Sequence, residues 1–261
     1  MNVLVLMKMV PDIVEELEIG ADGRSLDLDA VRPIVSERDD HALEQALLLK
    51  ERAGATVTVV ALEAPEVDEV LFTALAKGAD RAVKLTGVEP APPTAAAAAV
   101  LAAVLPKVPN LMPVDLVLAG CQAIDDLDGV LAPSLAERLG VPYLGIVTGI
   151  TVEAAGAGGT ASVLKEFAGG TRGRYTVCLP AVLGVQAAEK PPRYVPVAKV
   201  RAAMKARTLE EIPAGDGGAA QLVEVAAMTK PEAAGKAEML EGDPGAVAAK
   251  LVEILAARGL A

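Results

Sequence analysis

Aromatic side chains are nearly absent: the 261 residues include three tyrosines, two phenylalanines and no tryptophan. With so few rings, the core of a chain that is 52% hydrophobic has to come from Ala, Val and Leu. Small side chains of this kind suit helices packed closely on a parallel sheet. The apolar fraction also excludes disorder as the main state. Histidine occurs once, at His41, so a serine–histidine triad or a histidine-rich metal site would rest on that one residue. It lies in DDHALEQALLLKE, a helical pattern, and reads as a helix residue near an N-terminus. Cys121 and Cys178 are the only cysteines. They lack Cys-x-x-Cys spacing and read as two buried thiols of an intracellular protein rather than a disulfide. No metal site and no catalytic residue is expected.

Positive charge is in deficit. The net charge of −11 argues against a nucleic-acid partner, which needs a basic face. No apolar run is long enough to span a membrane, the Ala-rich stretch 95–105 included. MNVLVLMKMV is too short in its apolar part and too β-branched for a signal peptide. A cytoplasmic location without membrane insertion is therefore expected. A hydrolase needs a nucleophile beside a base, and no such pair is visible. GGTRG at 169–173 lacks the lysine and the strand–helix setting of a P-loop.

The apolar pattern alternates between strand and helix. VLVLMK (3–8), TVTVVAL (56–62), RAVKL (81–85) and VDLVLAG (114–120) read as buried strands. ERDDHALEQALLLKERAG, PEVDEVLFTALAKG (65–78) and the Ala-rich 94–105 read as the helices between them. The first of these has acids early, bases late and Gly54 at its stop, matching the helix dipole, with Ser36 as N-cap. LEIGADGRSLDLD alternates about Asp22-Gly23, a hairpin signal. From Gly145 several strands joined by glycine turns follow, and EKPPRYVP then breaks the regularity. Residues 208–242 read as a linker, Gly-, Ala- and Pro-rich from Pro213 to about Gly235. Residues 243–261 read as a helix with Asp243 as N-cap and one apolar stripe of Val247, Leu251, Ile254 and Leu255. Such a helix must dock on its own domain or on a partner.

This alternation predicts an α/β fold with a parallel sheet covered by helices on both faces. Ligands of such sheets sit beyond the carboxyl ends of the strands, at the switch in strand order. Three rims are candidates: Leu6–Asp12, Leu62–Pro65 and Gly120–Gly129. The last contains Asp125, Asp126 and Asp128, an acid-rich turn just where a helix start would otherwise invite phosphate. Asp128 is placed to cap that helix start, which gives the turn a purely structural reading.

Several segments, in order over roughly 1–207, resemble the beta subunit of electron transfer flavoproteins. VLMKMVPD is similar to the family's first strand and Lys-x-Val-Pro-Asp turn, and ALEQALLLKE to its first long helix. TALAKGADRAV resembles a Thr-Ala-Leu-x-x-Gly-Ala-Asp-Arg stretch, DLVLAGCQAIDD an Asp-Leu-Val-Leu-x-Gly-x-Gln-Ala-Ile-Asp core, and LPAVLGV and PPRYVP the later segments. The resemblance implies a Rossmann-like nucleotide-binding domain (1–207) related to adenine nucleotide alpha hydrolases, with additional β strands and the helical tail. It implies an alpha-subunit partner, electrons passed from a flavin dehydrogenase to a quinone-linked acceptor, FAD shared with the alpha subunit, and AMP or a second FAD in this chain.

By position, the resemblance puts Leu6, Met7, Lys8, Ser36, Leu62, Gly120, Gln122, Asp126, Gly129, Val130, Leu131 and Ala132 at the nucleotide. Ser36 stands for a usual Asn, and Val130-Leu131-Ala132 for a Gln-Thr pair with a small neighbour, so side-chain phosphate donors are lost. Ile13 and Arg38 take flavin-facing positions. Ile13 offers packing only; Arg38 replaces a frequent aromatic and reads either as a charge beside reduced flavin or as a solvated helix-start residue. Arg172 replaces a usual acid. Arg193 and Tyr194 fall in the expected subunit-contact segment, and Val197 near a leucine that anchors a dehydrogenase in some members. Two alternatives stay open: a non-redox nucleotide-binding regulatory protein, and a structural subunit with an empty pocket.

Overall fold

In the computed structural model the four apolar runs become the centre of one sheet. The structure describes residues 1–28, 31–88, 92–126, 129–215, 225–231 and 237–260. The elements, in chain order, are β1 (Asn2–Met7), β2 (Met9–Pro11), β3 (Pro33–Val35), α1 (Glu37–Ala53), β4 (Thr56–Leu62) and α2 (Val67–Lys77). They continue with β5 (Arg81–Thr86), α3 (Thr94–Val104), β6 (Leu116–Gly120), α4 (Leu131–Leu139), β7 (Tyr143–Ala154), β8 (Thr160–Glu166) and β9 (Arg172–Cys178). Last come β10 (Ala181–Val185), α5 (Val197–Ala206), β11 (Glu210–Pro213) and α6 (Pro244–Ala257).

The large sheet runs β11-β5-β4-β1-β6-β10-β7-β8-β9. Pairing is parallel from β11 to β7 and antiparallel between β7, β8 and β9. Residues Val3 to Met7 of β1 are all buried, as a strand covered on both faces must be. Alternate side chains enter two cores. Val3, Val5 and Met7 pack with α1 and α2 residues such as Leu43, Leu47 and Leu71. Leu4 and Leu6 pack with Val100, Leu101 and Leu135 of α3 and α4. The chain moves outward from β1 to β4 and β5, then returns to lay β6 on the other side of β1. The switch in strand order therefore lies at the ends of β1 and β6.

Four expectations need correction. Residues 210–213, read as linker, form β11 beside β5, with Glu210 opposite Val83 and Ile212 opposite Leu85. A run with two adjacent acids carries no strand signal, and tertiary pairing overrides it. The segment about Asp22-Gly23 turns as expected, but only Ile19 and Leu26 form a bridge, so there is no ladder. Cys121 is half-buried and Cys178 exposed, not two buried thiols. Ser36 sits at the N-cap of α1 without a side-chain capping bond; its backbone carbonyl accepts from Asp39 and Asp40 instead.

The terminal helix forms as expected, with the Asp243 carboxylate accepting from the N–H groups of Gly245 and Ala246. No residue of it is buried, and Leu251, Ile254 and Leu255 remain 48%, 37% and 42% exposed. Docking on its own domain is thus not what the structure shows.

Candidate functional site

The carboxyl ends of β1, β4 and β6 open into a cavity of about 370 Å³, within the roughly 300–1,000 Å³ range of small-molecule sites. Leu6, Val60 and Leu62 come from the strands, Ala97 and Leu101 from α3, and Leu131 from the start of α4. The loop around Leu26 and Leu28 closes one side. All three rims proposed from sequence contribute. Most of the strand and helix residues that line it are apolar.

The polar end is unusual in its sign. Asp39, Glu63, Asp125 and Asp126 line it, against the cations Lys8 and Arg24. Lys8 Nζ lies 2.7 Å from an oxygen of Asp125 and 2.7 Å from one of Asp126. Burial works against this ammonium, but the hydrogen bonds and charges of the two carboxylates outweigh it, and its pKa is raised. Asp126 also accepts from Ala123 N at 3.2 Å and lies 3.5 Å from Thr94 Oγ1. It is thus held in place by the protein before any ligand arrives.

Asp39, which sequence reasoning did not single out, is the most deeply set of these acids. Its two oxygens accept from Gly120 N at 2.6 Å and Lys8 N at 2.9 Å, tying the first turn of α1 to the ends of β6 and β1. Burial pushes its carboxyl up to about 7, against those two N–H donors and the Lys8 charge, which favour the ionised form. Gly120 is required for this approach: a Cβ there would stand 2.7 Å from the Asp39 carboxylate and 2.8 Å from Arg38 Cβ.

Of the residues assigned by resemblance to the nucleotide, Leu6, Met7, Lys8, Leu62, Asp126 and Leu131 line the cavity. Gly120, Gln122, Gly129, Val130 and Ala132 do not line it; Gln122 is exposed and donates to the Asp126 carbonyl at 3.3 Å. Ser36 is buried, with its N–H on the Lys8 carbonyl at 2.9 Å. Asp128, the expected helix cap, lies outside the described residues.

Arg38 does not line the cavity. Its Nη1 lies 2.9 Å from Cys121 Sγ and 2.7 Å from Gln186 Oε1, so it is not the solvated residue expected as one alternative. Ile13 is 56% exposed on the loop after β2. In the PPRY segment Tyr194 is presented to solvent, 83% exposed, with Val197 nearby at 60%. The Arg193 side chain is turned inward onto Glu44 and Glu51 of α1. Glu63 and Thr94 also escaped the sequence reading, although Glu63 lies inside a rim drawn from it; Asp125 was read there only as part of the acid-rich turn. Among the described residues no cluster of acids, cysteines and histidine has metal-site geometry, and no helix is long and apolar enough to cross a membrane.

Relatives cover nearly all of this architecture. The chain is 32% identical over 265 residues to an electron transfer flavoprotein subunit beta of Methylophilus methylotrophus, spanning 98% of each chain. A subunit beta of Clostridium acetobutylicum is 35% identical over 205 residues, 77% of this chain and 74% of that one. A shorter match, 37% over 159 residues and 59% of this chain and 58% of its own, is to the caffeyl-CoA reductase-Etf complex subunit CarD of Acetobacterium woodii. The model of the electron transfer flavoprotein domain matches residues 26–216, which takes in every strand of the large sheet except β1, and the acid-lined turn after β6. With that span matched and relatives aligned almost end to end, the chain belongs to the electron transfer flavoprotein family.

Proposed function

We infer that this chain is a beta-type subunit that carries electrons jointly with an alpha subunit and performs no substrate turnover of its own. The observation carrying this reading is the cavity at the strand-order switch, in a chain similar along its length to beta subunits. Flavin shared with the alpha subunit supplies the redox chemistry when bound. This chain's residues bind, orient and shield. Residues 1–207, completed by β11, form the nucleotide-binding unit, with Ile13 and Arg38 on the flavin side. The tail 243–261 reaches the alpha subunit through its open apolar stripe. Tyr194 and Val197 present a surface to a flavin dehydrogenase, with a quinone-linked acceptor downstream. The unpaired Cys178 suits a reducing, cytoplasmic compartment.

The cavity suits the adenosine half of AMP, or of a second FAD. Leu6, Val60, Leu62 and Leu101 offer faces for a purine, and carboxylates at its polar end are acceptors for ribose hydroxyls. A phosphate is repelled from Asp125 and Asp126 and is better placed towards the first turn of α4, beside Leu131, where a helix dipole favours it. With four carboxylates against two cations in the lining, the phosphate contributes less affinity than it would on a basic loop.

The test is ligand identity. The chain is expressed alone and with its alpha partner, both preparations are denatured, and released nucleotides are identified by absorbance and mass. AMP from the chain alone with FAD only from the pair is expected. FAD from the chain alone would assign the cavity to a second flavin, the arrangement of electron bifurcation. No nucleotide from either would overturn the nucleotide reading and leave a structural subunit.

A further inference from the structure

One wall of the cavity comes from the far end of the chain. Met228 lines it beside Leu26 and Leu28, more than 160 residues from every other lining residue except those of the α3 to α4 region, and it is half-buried where the other residues of 225–230 are exposed. The two layers over this side of the cavity differ in how firmly they are held. The loop 20–25 is braced internally: Gly20 N donates to the Ser25 carbonyl at 2.8 Å, and the Asp22 carboxylate accepts from the N–H groups of Arg24 and Ser25 and from the Ser25 hydroxyl. Segment 225–230 is held, among the described residues, by Met228 N on the Gly23 carbonyl at 2.8 Å and by Lys230 Nζ at 3.3 Å from Glu18 and 3.6 Å from Glu16. These carboxylates and the ammonium are exposed, so their attraction is weak and screened by salt.

We propose that residues 225–230 form a strap that closes over a nucleoside monophosphate in this cavity through the Met228 side chain and opens to admit it. This rests on the nucleotide reading given above. Segments held by few bonds and little buried apolar surface open at low cost. The Met228 thioether is flexible and polarisable, suited to lie against a flat purine ring. A ligand that touches the strap only when closed must favour the closed state, and the closed state must hold the ligand more tightly by the same factor.

The experiment measures AMP affinity of the full chain by calorimetry for wild type, Met228→Ala and Met239→Ala, with amide hydrogen exchange of 225–230 with and without AMP. Met239 is 82% exposed elsewhere in the tail and serves as control. Met228→Ala is expected to weaken AMP about fivefold, from loss of part of a buried side chain, while Met239→Ala leaves it unchanged. AMP is expected to slow exchange at 225–230 in wild type. Wild-type binding with neither the Met228→Ala loss nor the slowed exchange would overturn the strap and leave the nucleotide reading intact. No AMP binding by wild type would overturn the nucleotide reading and the strap with it.

Discussion

Arg193 grips Glu44 from three directions: its backbone N–H donates at 3.0 Å, Nε at 2.9 Å and Nη2 at 2.8 Å. The Glu44 side chain is only 4% exposed, and the clasp fixes the segment leading to Tyr194 and Val197 against α1. Burial alone would raise this carboxyl, but the hydrogen bonds and charge of Arg193 outweigh it and hold its pKa below the ordinary 4.5. Arg193→Ala strands a buried carboxylate. The expected loss is about 2 kcal/mol, under the ~3–5 kcal/mol of a fully buried pair because the arginine reaches solvent. A depressed folded pKa gives stability that is present above the unfolded value and lost as pH falls through the folded one. Urea melts should therefore show the wild-type advantage shrinking below about pH 4.5. A constant difference across that range would rule out the ionised clasp.

Asp39 predicts the opposite slope. Its carboxyl is pushed up to about 7 in the folded chain from 3.8, so between those values the native state holds a proton that the unfolded chain has released. This group's contribution to stability therefore declines as pH rises from about 4 to about 7. Asp39→Asn should remove that decline while placing an amide NH2 against a backbone N–H, at a cost of about 1–3 kcal/mol. Melting temperatures of both proteins from pH 4.5 to 8 check the sign. Gly120→Ala should destabilise through the same contact, since its Cβ would meet the Asp39 carboxylate.

Lys8 balances two carboxylates, and Asp126 is the more enclosed, with a side chain 8% exposed. Lys8→Met leaves these charges facing each other across the cavity wall. A loss of roughly 2–3 kcal/mol is expected, and Asp126→Asn added to it should recover part. A double-mutant cycle in urea gives the coupling directly. Additive losses would show that the ion pair contributes nothing beyond its separate groups.

The open stripe of α6 predicts a separation of stability from assembly. Leu251→Lys with Ile254→Lys should change the stability of the isolated chain by under about 0.5 kcal/mol, as exposed substitutions do. The same pair should weaken capture of the alpha subunit at least tenfold by surface binding. Unchanged capture would remove α6 from the interface.

Much of the fold was legible because it follows from periodicity. β4 runs over the same seven residues as TVTVVAL, and the helices α1 to α3 stop where glycine or a proline-bounded turn ends their pattern. The position of the cavity followed from strand alternation alone. Its chemistry did not. Asp39 reads in sequence as one more acid favouring a helix start, and only the approach of Gly120 shows it bridging two strands. Arg193 reads only as part of a subunit-contact segment, because the acids it grips are some 140 residues away. Met228 stands in a Gly- and Ala-rich tail with no periodic signal. Arg81 pairs with Glu210 at the edge of the sheet, an interaction that helps hold β11 where pattern suggested a linker.

The placement of β10 has a consequence for synthesis. It sits between β6 and β7, yet it follows β7, β8 and β9 in the chain. As the chain leaves the ribosome, β1, β4, β5 and β6 can pair first, with the β6 edge uncovered until residue 185 has emerged. The antiparallel hairpins can form meanwhile from local contacts. They cannot join the rest until β10 slots in as the joining strand. A nascent chain stalled between residues 120 and 180 therefore exposes an apolar strand edge, and a chaperone that binds such edges would find its main target there.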